Sequence, residues 1–141
     1  MTRFPALVAA VMLGAAPLAS LASTQAEVNA TLGSDQRVWS SLVALAIADE
    51  IRTHCPTIEA REFRTTTFVL GLFNHARGLG FSRQEIRAFQ VHETTETRLR
   101  AEVNGYFAAN GVREGAADTY CVLGLAEIAA GSQAGEFLRA R

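Results

Sequence analysis

The sequence predicts an all-α fold: a small orthogonal bundle of about five short helices, closed by one disulfide between Cys55 and Cys121. Three observations carry this. Apolar residues recur at steps of three and four over long stretches, the period of a helix with a buried face. Helix start and stop signals divide the chain at short intervals, leaving short loops and no surviving strand pattern. Two cysteines, and no others, stand far apart in a chain that begins with an export signal.

The stretch from Val38 to Pro56 (VWSSLVALAIADEIRTHCP) is the predicted central helix. Val38, Leu42, Leu45 and Ala46 form one apolar stripe, and Trp39, Val43, Ile47 and Ile51 widen it. So broad a stripe predicts burial on several sides. Ser34 or Asp35 is placed to cap it, since either side chain can accept a bond from a first-turn amide. Pro56 disfavours helical geometry at Cys55, which ends the helix there.

Upstream, residues 1–22 have the three parts of a secretory signal peptide. Arg3 gives a positive start, Phe4 to Ala16 an apolar run, and Ser20-Leu21-Ala22 the small residues of a cleavage site. The apolar run falls short of the roughly 18 strongly apolar residues that a spanning helix needs. Cleavage would place the mature protein in the periplasm, with no transmembrane helix remaining. Residues 23–33 (STQAEVNATLG) are small and polar and read as a flexible linker. Residues 34–141 then form a single helical domain, a size that supports one real core.

Downstream, Thr57 opens the second helix, with Glu59 and Glu62 in its first turns, where acidic side chains meet the positive helix end. The β-branched run from Thr65 to Val69 is compatible with a strand. The helical step of Phe63, Val69 or Leu70, Phe73 and Arg77 and the length of the run favour helix, ended by Gly78 and Gly80. Ser82 and Glu85 form a capping box, and Phe81 with Ile86 a hydrophobic staple, for a short third helix from Arg83 to about Val91. Thr94 or Thr95 caps the fourth helix, which carries Leu99, Val103, Tyr106 and Phe107 to Asn110-Gly111. Asp118 caps the fifth, which contains Cys121, Leu125 and Ile128 and stops near Gly131. Phe137 and Leu138 pack back in a last turn.

Two cysteines in an exported chain pair in the oxidising periplasm. For so long a loop the chain-entropy gain is roughly 4 kcal/mol, a large share of the ~5–15 kcal/mol stability of a small domain. A redox role would require a C-x-x-C pair or a basic neighbour acting on the thiol. His54 adjoins Cys55, but consecutive residues at a helix end point in different directions.

Composition narrows function further. All 13 basic residues are arginine, against 14 acidic ones, for a formal charge of −1. Such a balance offers no excess positive charge to displace counterions from phosphates, which argues against a nucleic-acid partner. His92-Glu93-Thr94-Thr95-Glu96 resembles H-E-x-x-H with Glu in place of the second His, and a third ligand is not apparent. Glu50 and His54, four apart, form a local ion pair more readily than a catalytic dyad. His75 reads as a satisfied histidine rather than a general base. No nucleophile elbow or phosphate-binding glycine loop is present. The sequence therefore assigns no catalytic residue, no metal ligand and no cofactor.

Three segments, AIADEIRTHCP (46–56), HARGLGFSRQEI (75–86) and CVLGLAEIAAGSQAGEFLRAR (121–141), are similar to a family of small exported helical proteins of unknown function from alphaproteobacteria. Thr65 to Thr67 depart from that pattern. In the family the two cysteines recur, and some members are encoded near genes for the respiratory NADH dehydrogenase. The resemblance implies an accessory role at an inner-membrane complex and no catalytic residue. The leading expectation is thus a non-enzymatic periplasmic protein that binds an unknown protein partner of an envelope or respiratory complex. A binder of a small apolar ligand between helices is the alternative, and a metal-dependent enzyme using His75, His92 or Glu96 a third.

Overall fold

The computed structural model describes residues 23–141. The signal peptide expected at 1–22 lies outside the described residues. Seven helices and two short strands follow in the order α1 (Gln25–Ser34), α2 (Gln36–His54), β1 (Ile58–Ala60), α3 (Glu62–Gly78), α4 (Arg83–Gln90), α5 (Glu93–Ala109), α6 (Ala117–Ala130), α7 (Gln133–Glu136) and β2 (Leu138–Ala140). The fold is the expected all-α bundle, with two more helices than the five expected and one small antiparallel ribbon.

Helix α2 is the axis. Its N-terminal half packs against α1, the end of α3 and α4, in a cluster of Val28, Leu32, Val38, Trp39, Ile86 and Phe89 among others. Its C-terminal half packs against β1, α5, α6 and α7, around Ile51, Ile58, Val103, Leu123, Phe137 and Leu138. Val43 and Leu99 touch both clusters and join them. One helix thus buries different faces along its length, which is why its apolar stripe is so broad.

The flexible linker expected over 23–33 is instead helix α1. Thr24 caps it through a reciprocal box with Glu27, and Val28 and Leu32 are fully buried. The small polar residues that suggested a linker face solvent, while two apolar residues four apart are enough to dock the helix. Asp35, not Ser34, caps α2 by accepting from the Val38 amide at 2.8 Å. The helix stops at Cys55 in extended geometry, as the following proline requires.

Beyond Pro56 the expected helix start at Thr57 is corrected. Ile58–Ala60 is a strand, α3 begins at Glu62, and Glu59 is not helical. The partner strand is the C-terminal stretch: Ile58 faces Ala140, Glu59 faces Arg139 and Ala60 faces Leu138. Three-residue strands carry little sequence pattern, and a lone ribbon is marginal in water. This one is held by Ile58 and Leu138, both 1% exposed in the core. Helix α3 is continuous through Thr65–Val69, as preferred. The capping box of Ser82 and Glu85 forms, and Phe81 and Ile86 bury in one cluster. Two caps are corrected. His92 Nδ1 accepts from the Thr94 amide to start α5, so Thr94 and Thr95 lie inside the helix. Ala116 precedes α6 with no side-chain cap, and Asp118 sits in the first turn. Leu125, one of the apolar residues that mark this helix in the sequence, is half exposed, and Leu123 is buried. Gly131 closes α6 in the left-handed conformation, with φ of 61°.

Candidate functional site

Cys55 and Cys121 are bonded, with Sγ atoms 2.06 Å apart and Cα atoms 5.1 Å apart. The bond ties the end of α2 to the first turns of α6. It lies beside the ribbon, where the Arg141 amide donates to the Thr57 carbonyl at 2.9 Å. Thr57 Oγ1 lies 3.3 Å from Cys55 Sγ. Covalent and hydrogen-bonded closure of the C-terminal segment therefore coincide at one place.

The histidines singled out in the sequence each hold structure together. His75 Nε2 lies 3.0 Å from Asp35 Oδ2, bridging α3 to the cap of α2. The Val38 amide first, and His75 next, hold the Asp35 carboxyl below its usual range. His54 Nδ1 lies 2.9 Å from the Glu50 carbonyl oxygen, and its ring stacks on Tyr120 with centroids 4.5 Å apart. Glu50 and His54 do approach, at 3.4 Å, as an exposed pair. His92 caps α5. Among the described residues no group of three or more His, Cys, Asp or Glu is placed to hold a metal ion.

A buried carboxylate that sequence reasoning missed sits behind α6. Glu127 is 7% exposed and accepts from the hydroxyls of Tyr106 and Ser132. Ser132 also accepts from the Gly135 amide at 3.0 Å, so one serine caps α7 and satisfies Glu127. Burial, reinforced by the Glu127 carboxylate, pushes the Tyr106 hydroxyl up to about 12. Such a group stays protonated as a donor, and the set works as a tie between α5, α6 and α7. Another tie joins α1 to α5. The Arg98 guanidinium lies 3.5 Å from the Trp39 ring centroid and donates to the Gly33 carbonyl at 2.7 Å. Trp39 Nε1 donates to Glu102 at 2.7 Å.

Among the open clefts of the described residues, two are roomy enough to matter here. The first, of about 870 Å³, runs between the ribbon and the start of α3. It is lined by Arg52, Arg61, Arg64, Arg139 and Arg141, with Glu59 and Glu62 as the acidic side chains of its lining. Arg139 and Arg141 both bond Glu59, at 2.6 and 3.2 Å, and hold its carboxyl below the usual range. Phe63 stands at this cleft 88% exposed. The second, of about 800 Å³, lies between α2, α5 and α6. Leu99, Val103 and Phe107 contribute apolar lining, and Glu50, Glu96 and Glu114 acidic lining. Burial, then Glu50 and Glu114, raises Tyr120 within it.

A family model described as "Family of unknown function (DUF5333)" matches residues 30–139, a span that runs from the middle of α1 into β2. The chain belongs to this family. No curated protein and no solved structure matches it. The DUF5333 match covers both cysteines, every arginine of the first cleft except Arg141, and the Glu127–Ser132 tie. Among the described residues no helix is long and apolar enough to cross a membrane.

Proposed function

We propose that this DUF5333 protein is exported to the periplasm and acts without catalysis, as an accessory factor that binds another protein of an envelope or respiratory complex. The observation that carries this is unburied apolar surface on a well-packed domain. Phe63 and Leu70 on α3 are 88% and 58% exposed, and Val122 and Leu125 on α6 are 70% and 50% exposed. Each pair, seven apart on α3 and three apart on α6, shares one side of its helix, and exposed apolar patches mark surfaces that meet another protein. His75 and His92, two of the groups an enzyme reading would use, are meanwhile engaged in a tie between helices and in a helix cap. The disulfide supports export, since such bonds persist in oxidising compartments. The family resemblance, with its gene neighbourhood, implies a respiratory inner-membrane partner. Crosslinking in the native envelope followed by affinity purification tests the reading. A reproducible partner band supports it, and recovery of the monomer alone counts against it.

A second reading has its own observation, the cleft lined by Leu99, Val103 and Phe107 with a volume above the ~300 Å³ of small ligand sites. Native mass spectrometry of periplasmic protein would show a co-purifying apolar molecule on that reading. A clean apoprotein mass removes it.

A further inference from the structure

We propose that the arginine-lined cleft between the ribbon and α3 is a docking site for an acidic protein segment that also carries an apolar side chain, a specific form of the protein-binding reading above and dependent on it. Charge separation is the first ground. The cleft lining holds five arginines and two glutamates; Arg52 pairs with Asp49 and Arg64 with Glu136 at its rim, which leaves Arg61, Arg139 and Arg141 facing Glu59 and Glu62. The rest of the chain then holds 8 basic residues (13 less 5) against 12 acidic ones (14 less 2), a formal −4. Three arginines against two glutamates leave a local positive excess at one concave place of a chain that is net acidic, and such an excess orients an oppositely charged partner.

The second ground is how the guanidinium groups are held. Arg139 and Arg141 both reach Glu59 through Nε, one to each carboxylate oxygen. A guanidinium has five N–H donors in a planar fork. Glu59 therefore fixes two forks by one nitrogen each and leaves their terminal Nη donors without a partner among the described residues. An incoming carboxylate meets donors that are already oriented, the arrangement suited to bidentate Arg–carboxylate bonds. Arg61 has no ion pair among the described residues and adds a further unspent charge. The first turn of α3, which no side chain caps, belongs to the same lining.

The third ground is Phe63, an aromatic ring between Arg61 and Arg64. Aromatic and arginine side chains are the types that anchor protein interfaces. A ring left in water beside fixed guanidinium groups calls for an apolar side chain on the partner next to its carboxylates. The concavity of the site suits a chain segment better than the flat face of a bilayer.

The test places p-benzoylphenylalanine at Phe63, or in a separate strain at Val122, in the full chain expressed in its native host. Irradiation is followed by mass spectrometry of the crosslinked peptides. The expected result is a crosslink from position 63 to a peptide with excess Asp and Glu. Adding Arg61→Glu with Arg64→Glu, both exposed, should lower its yield at least ~10-fold while the melting temperature holds, because charge reversal sets partner choice without touching the core. Crosslinks from position 122 alone overturn this site and leave the protein-binding reading standing. Silence at both positions overturns both. A position-63 crosslink that lands on a basic or neutral peptide, or that survives the charge reversals, overturns the proposal. So does Phe63-dependent sedimentation with phosphatidylglycerol vesicles in place of a protein crosslink, which would make the cleft a membrane contact.

Discussion

Gly124 lies where α6 presses on α2 and β1, and replacing it with alanine reads out that packing by sign as well as size. In an exposed helix interior, Gly→Ala stabilises by about 1 kcal/mol, because alanine has the higher helix propensity. At Gly124 the added Cβ would stand 2.4 Å from Ile58 Cδ1 and 2.6 Å from Ile51 Cγ2. Both fall about 1 Å inside the short end of the ~3.5–4.0 Å optimum for carbon pairs. Ile51 and Ile58 are fully buried, so neither can swing into solvent. Overpacking of this sort costs about 1–3 kcal/mol, and two confined contacts place it near the upper end. Subtracting the propensity gain leaves about 2 kcal/mol of net destabilisation, or roughly 8 °C in melting temperature for a domain of this size. Gly105→Ala is the control. It lies inside α5 with nothing within 4 Å of its Cβ position and should stabilise by about 1 kcal/mol. Ile58→Val removes the Cδ1 atom and should recover part of the Gly124→Ala loss, as a coupling of about 1 kcal/mol in a double-mutant cycle. Thermal and urea melts of the parent, the three single variants and the double mutant suffice. Stabilisation by Gly124→Ala, or zero coupling with Ile58, would refute the placement of α6 on the ribbon.

Removing the disulfide by Cys55→Ser with Cys121→Ser should cost about 4 kcal/mol, given a sequence separation of 66, measured by urea melts against the oxidised parent. Leu32→Ala should cost about 3 kcal/mol, as for other fully buried leucines, whereas a true linker residue would cost nothing. Asp35→Ala should cost about 1–2 kcal/mol at pH 7, the worth of an N-cap. Because the folded Asp35 carboxyl is held below its usual range, its contribution is complete above pH ~4 and is lost as pH falls through the folded value, so parent and variant should converge in acid melts.

How far the sequence carried depended on the range of the signal. The α2 helix, its stop before Pro56, the Ser82–Glu85 box and the Gly131 terminus were legible because each is set within a few residues. The disulfide was legible from the cysteine count and the export signal expected over residues 1–22. The ribbon was not, since three-residue strands at positions 58–60 and 138–140 declare themselves only by pairing across the chain. For the same reason the arginine cleft was hidden. Arg52, Arg61 and Arg64 lie far in sequence from Arg139 and Arg141, and only strand pairing brings them together. Helix α1 was misread because its composition is that of a linker, while its two buried residues draw their meaning from α2 and α4. Glu127 looked like an ordinary polar residue on an apolar helix until Ser132 and Tyr106 were found donating to it.

Intact-mass measurement of the protein taken from the periplasm of its host, with and without alkylation, tests the account most directly. The account predicts a chain that begins at Ser23, two protons lighter than the dithiol form, and inert to alkylating reagent until it is reduced. A chain that keeps residues 1–22, is found inside the cell, and takes up reagent at both Cys55 and Cys121 while folded would contradict it.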